Sequence, residues 1–260
     1  MVNHVISALT RSVVKHNHAI IAPDGYINSS VPGWTGCTVN VIINEQMGAR
    51  LCQMLVTLTA DGRLNGRTQE AQIFFYVVQG ACSATVALDP AAAADEETRT
   101  LEAGQFVYVP IGQHYQFISL EADTQILTFH KEYQPLAGHA TPGVVWGDRQ
   151  DAAYPDSYMG DPALHIQELL PNVPAFDMAV NIFTYDRGGH LPMVETHIME
   201  HGLLYLEGAA IYMLDQHWYP VKAGDSIWMA PYCQQWATAM GQGPSVYIYY
   251  KNVNRFPTLV

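Results

Sequence analysis

Two stretches of this chain, 120 residues apart, repeat one another. LEAGQFVYVPIGQHYQF at 101–117 matches VKAGDSIWMAPYCQQWA at 221–237, which sets Gly104 opposite Gly224 and Tyr115 opposite Gln235. FHK ending at Lys131 matches YYK ending at Lys251 with the same offset. FFYVVQG ending at Gly80 matches LLYLEG ending at Gly208 with eight residues more, a difference that the Ala-rich loop at 91–99 accounts for. Such self-similarity means two copies of one supersecondary unit. The unit is built from strand-sized apolar runs rich in β-branched and aromatic residues, such as CTVNVII, RLCQMLVTL and ACSATVAL in the first copy and DMAVNIFTY, AIYML and SVYIYYK in the second. Gly at the corners suits positions that need positive φ or close backbone approach. The pattern predicts an all-β chain of two tandem jelly-roll barrels, with little helix outside the N-terminal region. Residues 1–50 read as an arm and leading strands packing on the barrels, 51–135 as the first barrel, 136–165 as a linker rich in Pro, Gly and Asp, and 166–260 as the second barrel.

Composition removes several functions. Twelve Lys and Arg stand against 24 Asp and Glu, a net charge of −12 that repels phosphate backbones and anionic lipid. Nucleic acid and membrane are therefore not expected partners; a small-molecule substrate is. No apolar run approaches the ~20 residues of a membrane helix. The first residues lack a secretory pattern, so a cytoplasmic protein is expected if the source is bacterial. Cys37, Cys52, Cys82 and Cys233 form no C-x-x-C pair and read as buried free thiols of a reducing compartment.

The chemistry concentrates in Gly189–Gly208, GHLPMVETHIMEHGLLYLEG. Glu195 and His197 are two apart and share a face on a strand. His201 joins them after a local bend, and Gln235 comes from a separate strand aligned across the barrel mouth. Two imidazoles, a carboxylate and an amide oxygen, without thiolate, suit Mn²⁺, Fe²⁺ or Ni²⁺ better than structural Zn²⁺. With 11 His in the chain the spacing alone is weak; His16 and His18 have similar spacing but no third partner, and read as structural. The glycine frame strengthens the case. It resembles the first cupin motif, G-x5-H-x-H-x3/4-E-x6-G, with Glu195 at the first His and His201 at the Glu. GDSIWMAPYCQQ loosely resembles the second motif, with Gln235 at its His. In the first copy the frame counted back from Gly80 puts Arg67, Gln69, Ile73 and Tyr115 at the ligand positions. Arg and Ile cannot ligate, so the first barrel is expected to be metal-free; the neighbouring His114 points to the opposite face.

Over nearly its whole length the chain resembles the (S)-ureidoglycine aminohydrolase family, bicupin enzymes of allantoin and purine-nitrogen catabolism. VVKH near the start, the Pro23-Asp24-Gly25 turn, VETHIMEHGLLYLEG, LDQHWYPVKAGD and YYKNVNR carry the resemblance. It implies Mn²⁺ held by Glu195, His197, His201 and Gln235. It also implies a substrate surrounded by Tyr212, Tyr247, Lys251 and Glu195, with Glu195, Lys251 and Tyr247 catalytic. A homo-oligomer such as an octamer is implied as well. The residues themselves agree in outline. Tyr212 follows the Gly208 turn, and Tyr247 and Lys251, four apart, share a strand face. A Lys turned into a barrel needs an anion, either a substrate carboxylate or Glu195. Two other readings stay open at this point: another metal-dependent cupin enzyme, a dioxygenase or isomerase, and a non-enzymatic cupin that binds a metabolite.

Overall fold

Along Ser245–Asn252 the apolar residues alternate between two destinations. Val246, Ile248 and Tyr250 enter one core while Tyr247 and Tyr249 enter another, as the two-residue period of a strand requires. The same division runs through both halves. One face of each main sheet packs on the other half, through Phe74, Tyr108 and Phe129 from the first and Val180, Trp228 and Tyr250 from the second. The opposite faces close over separate interiors. Full burial of each large side chain in these cores contributes ~1.5–3 kcal/mol.

The computed structural model describes residues 10–88 and 96–256. Among them every extended element is a strand and the only helical turns are short 3-10 turns at Pro23–Gly25 and Glu45–Met47. Residues 89–95, which hold most of the Ala-rich loop, lie outside the described residues.

The first half is a ten-stranded sheet. Its long strand Cys52–Arg67 pairs with Trp34–Ile43, Thr124–Glu132 and His114–Ser119. The second half sets a seven-stranded sheet, which includes Met178–Tyr185, His201–Glu207 and Ser245–Asn252, beside a three-stranded sheet of His217–Lys222, Ala209–Leu214 and Gln235–Ala239. The segments flanking the first half pair differently. His18–Ile21, in the arm, pairs with Ser226–Met229 of the second half. There Arg11 forks onto Asp225, at 2.5 and 2.6 Å, and His18 Nε2 meets the Tyr219 hydroxyl at 2.8 Å. In the segment expected as a linker, Val145–Asp148 pairs with Gln105–Val109 of the first half. Its turn-rich flanks hide a four-residue strand too short to register in a Pro- and Gly-rich background.

Equivalent corners carry equivalent backbones. Gly80 and Gly208 have φ of 78° and 75°, and Gly104 and Gly224 have 93° and 90°, a region that L-residues with a Cβ rarely enter. The strand register, however, corrects the matching of FHK with YYK. Ile73 pairs with His130, and His201 pairs with Lys251. His130, not Lys131, therefore occupies the place of Lys251. Counted from Gly104 and Gly224, the second copy has one extra residue before its last strand, and a one-residue slip exchanges the two faces. Lys131 consequently turns to the junction between halves, where it pairs with the fully buried carboxylate of Asp177, itself bound by Gln72 and by the Gln134 N–H at 2.9 Å.

His130 lies near Trp34 and Phe75 and bonds Thr128 Oγ1 at 3.0 Å. Burial lowers its imidazole to about 4. The unfolded chain takes that proton near 6.5, so stability from this group is present above 6.5 and declines as pH falls toward 4. The slope is about 1.4 kcal/mol per pH unit in that window. Denaturant midpoints between pH 7 and 4.5 should fall less steeply in His130→Gln than in the parent chain.

Candidate metal centre

The ligand residues sit where the second half loosens its edge. Met178–Tyr185 ends at residue 185, and the chain runs irregularly to His201. This stretch is laced to Gln235–Ala239: Glu195 and Gln235 exchange both backbone hydrogen bonds, at 2.8 and 2.9 Å, and the Leu191 N–H reaches the Ala237 carbonyl at 3.0 Å. Gln235 is thus the direct cross-strand neighbour of Glu195, not a residue across the barrel mouth.

Four of the side chains singled out in the sequence converge. His197 Nε2 lies 3.1 Å from His201 Nε2 and 2.8 Å from Gln235 Nε2, and the Gln235 amide lies 3.4 Å from Glu195 Oε2. The other ring nitrogen of each His meets a backbone carbonyl, His197 Nδ1 at Met199 (3.1 Å) and His201 Nδ1 at Tyr250 (3.2 Å). A carbonyl only accepts, so each Nδ1 carries the proton and each Nε2 presents a lone pair. Two lone pairs facing one another at 3.1 Å cannot bond to each other; a cation satisfies both. Half a turn of the Gln235 amide adds its oxygen to the same point. Among the described residues no three or more His, Cys, Asp or Glu by themselves come together closely enough to hold a metal ion. The carboxylate of Glu195 meets the imidazoles through the Gln235 amide, so the donor set is complete only with that amide counted. As a set of imidazole, carboxylate and amide donors it fits a divalent cation with oxygen tolerance.

Burial tunes every titratable group here. It lowers His201 to about 3, helped by the neighbouring His197, and lowers His197 too, against the pull of its Met199 hydrogen bond. Both rings are neutral, as ligands must be. Burial raises the Glu195 carboxyl, with Lys251 opposing, and lowers the Lys251 ammonium, with Glu168 and Glu195 opposing.

These groups line a cavity of about 470 Å³. Tyr212, Tyr247 and Lys251 are all in its wall. The Tyr247 hydroxyl lies 3.3 Å from those of both Tyr212 and Tyr185. No described carboxylate comes within salt-bridge distance of the Lys251 ammonium. The same sheet face adds apolar wall beside them, with Phe183 cross-strand from Tyr247, Leu203 from Tyr249, Met229 from His201 and Ile166 from Phe183. Tyr249, Tyr158 and Met159 are among the lining residues not singled out from the sequence. Tyr249 was available from the alternation that picked out Tyr247 and Lys251; Tyr158 and Met159 arrive from the supposed linker and carry no local signal.

The first half has a different interior. Ile73 and Tyr115 are buried among Phe75, Phe117 and Val109, and the Tyr115 ring closes over Gly66, where a Cβ would come within 2.3 Å of its oxygen. The four Cys are free, Cys82 and Cys233 buried, Cys37 and Cys52 half-buried. No helix among the described residues is long and apolar enough to cross a membrane.

Two tandem curled-sheet barrels, one of them opening on a pocket of His, Glu and Gln donors, define a bicupin. A Bacillus subtilis oxalate decarboxylase shares this fold with a TM-score of 0.67 at 12% identity, over 92% of this chain and 78% of that one. Protein Ylba from Escherichia coli superposes with a TM-score of 0.82 at 28% identity, over 99% of this chain and all of that one. No protein-family model matches the chain. The (S)-ureidoglycine aminohydrolase of Arabidopsis thaliana is 32% identical over 253 residues, 97% of this chain and 81% of the relative. The E. coli protein of that name is 33% identical over 254 residues, 94% of this chain and 92% of the relative. The chain belongs to the (S)-ureidoglycine aminohydrolase family and is an enzyme of that kind.

Calorimetric titration of the full-length protein with Mn²⁺ should give one site per chain. His197→Ala should weaken it by at least about a hundredfold, more than loss of an outer hydrogen-bond partner costs. His190→Ala, whose ring nitrogen only meets the Leu191 carbonyl, should leave it unchanged.

Proposed function

We propose that this chain performs the manganese-dependent hydrolysis of (S)-ureidoglycine to (S)-ureidoglycolate and ammonia, as a step of allantoin and purine breakdown. The observation that carries the reading is the pair of facing imidazole lone pairs beside Glu195 and Gln235, in a cavity that also holds a lysine without an ion-pair partner among the described residues. Glu195, His197, His201 and Gln235 would hold the metal. Bound there, Mn²⁺ supplies Lewis acidity, which makes water a better nucleophile near neutral pH and offsets negative charge.

The remaining work belongs to the chain. Lys251 holds the substrate carboxylate, an anion that compensates for taking the ammonium out of water. Tyr212 and Tyr247 stand further along the same cavity as hydrogen-bond donors. Burial pushes both phenols up from their ordinary value, so they keep their protons and give hydrogen bonds rather than accept protons. Glu195 is the group that can take a proton from water and return it to the departing amine. The net change replaces the amine with a hydroxyl and releases ammonia. A carboxylate held at Lys251 and a metal held at the other donors fix the substrate at two points, which presents one face of the reacting carbon and gives one stereoisomer. The described surface also leaves Met159, Met193 and Val194 exposed around the cavity, which supports a homo-oligomer in which neighbouring copies cover that rim.

Ammonia release from freshly generated ureidoglycine, followed with chiral analysis of the product, checks this reading. Turnover should require Mn²⁺ and vanish in His197→Ala; undiminished turnover in metal-stripped protein would sink the scheme. Lys251→Ala should raise KM by about tenfold or more, the cost of losing a charge-assisted bond, with a smaller effect on kcat.

A further inference from the structure

Tyr247, Tyr249 and Lys251 form one column on the cavity face of Ser245–Asn252, successive members ~7 Å apart. Tyr249, the middle member, has no role in the scheme above. Its ring stands edge-on to His201, with centroids 5.3 Å apart and planes at 81°. Its hydroxyl accepts a hydrogen bond from Asn181 Nδ2 at 3.1 Å. Asn181 is buried and lies directly opposite Tyr249 in the adjoining strand Met178–Tyr185. A phenol that accepts from an amide still has its own proton to give. Among the described residues Tyr249 has no other hydrogen-bond partner, and its side chain forms cavity wall.

We propose that Tyr249 is a specificity-determining residue whose hydroxyl donates to the ureido carbonyl oxygen of the substrate, with Asn181 as the positioning residue that leaves the Tyr249 proton free for the ligand. The inference rests on the substrate reading given above. A substrate laid along the column with its carboxylate on Lys251 brings its ureido carbonyl, a few ångströms further on, to the next residue, Tyr249. A ligand with a carboxylate and no ureido group has nothing to place there. A site arranged to donate to a particular oxygen discriminates against ligands that lack it, because its own polar group is then left unpaired.

The experiment measures calorimetric binding of ureidoglycolate and of glycolate to the Mn²⁺-loaded full-length chain, together with KM and kcat for ureidoglycine. Tyr249→Phe should weaken ureidoglycolate by about tenfold, the upper range for one hydrogen bond. It should leave glycolate affinity unchanged and raise KM more than it lowers kcat. Asn181→Leu should show the same selective loss, and the double variant should lose no more than either single one. Tyr249→Phe removes a single oxygen, so its result stands even if Asn181→Leu fails to fold. Unchanged ureidoglycolate affinity in Tyr249→Phe, equal weakening of both ligands, or additive losses in the double variant overturns the proposal while leaving the ureidoglycine reading intact. Failure of the parent chain to bind ureidoglycolate or to release ammonia from ureidoglycine overturns both.

Discussion

The core shared by the two halves is the interaction on which the rest depends. At its closest point Gly202 lies against the first half, where a Cβ would come within 2.8 Å of Leu51 Cδ1 and 2.9 Å of Gln53 Oε1. Gln53 also donates to the Leu203 carbonyl and the Ser226 hydroxyl, both at 3.1 Å. Glu200, fully buried, accepts from the Trp228 indole at 2.9 Å and the Arg50 N–H at 3.1 Å, while its own N–H reaches Asn252 Oδ1 at 2.6 Å. His201 is bracketed between these two clamped residues. The first half therefore acts on the site as a wall. It fixes the backbone from which one imidazole and, through the neighbour of Asn252, the Lys251 ammonium project.

Partial burial does the chemical tuning. The same desolvation keeps His197 and His201 neutral, weakens the hold of Lys251 on its proton and raises Glu195. These directions are opposite in charge but alike in cause: each group leaves water and its charged form is disfavoured. Opposite charges brought in together restore the balance, which is why a cation between the imidazoles and an anion on Lys251 suit the pocket as a pair.

Much of this was legible in the sequence because repetition and glycine spacing are local, periodic signals. The duplication exposed two copies, and the glycine frame placed Glu195, His197, His201 and Gln235, which the fold brings together. Strand alternation was strong enough to pair Tyr247 with Lys251 and would have reached Tyr249. Other features were out of reach. One residue added between two strands inverts faces without disturbing the motif on either side, so Lys131 resembled Lys251 while standing with its back to the corresponding interior. Tyr158 and Asn181 reach the site or support it through tertiary placement, and no local pattern marks them. The strand at Val145–Asp148 is defined by its partner in the first half, not by its own composition.

The pairing of the arm with the second half has a consequence for biosynthesis. His18–Ile21 is made about two hundred residues before its pairing partner Ser226–Met229. At ordinary elongation speeds that is a wait of roughly 10–40 s. During it the nascent arm has an unsatisfied strand edge, which is a template for pairing with other chains. The first half can close early, since Val145–Asp148 follows it directly, whereas the catalytic half is completed only when His18–Ile21 meets Ser226–Met229. A ribosome-bound fragment that stops before the last strands would thus hold a finished scaffold and no working site.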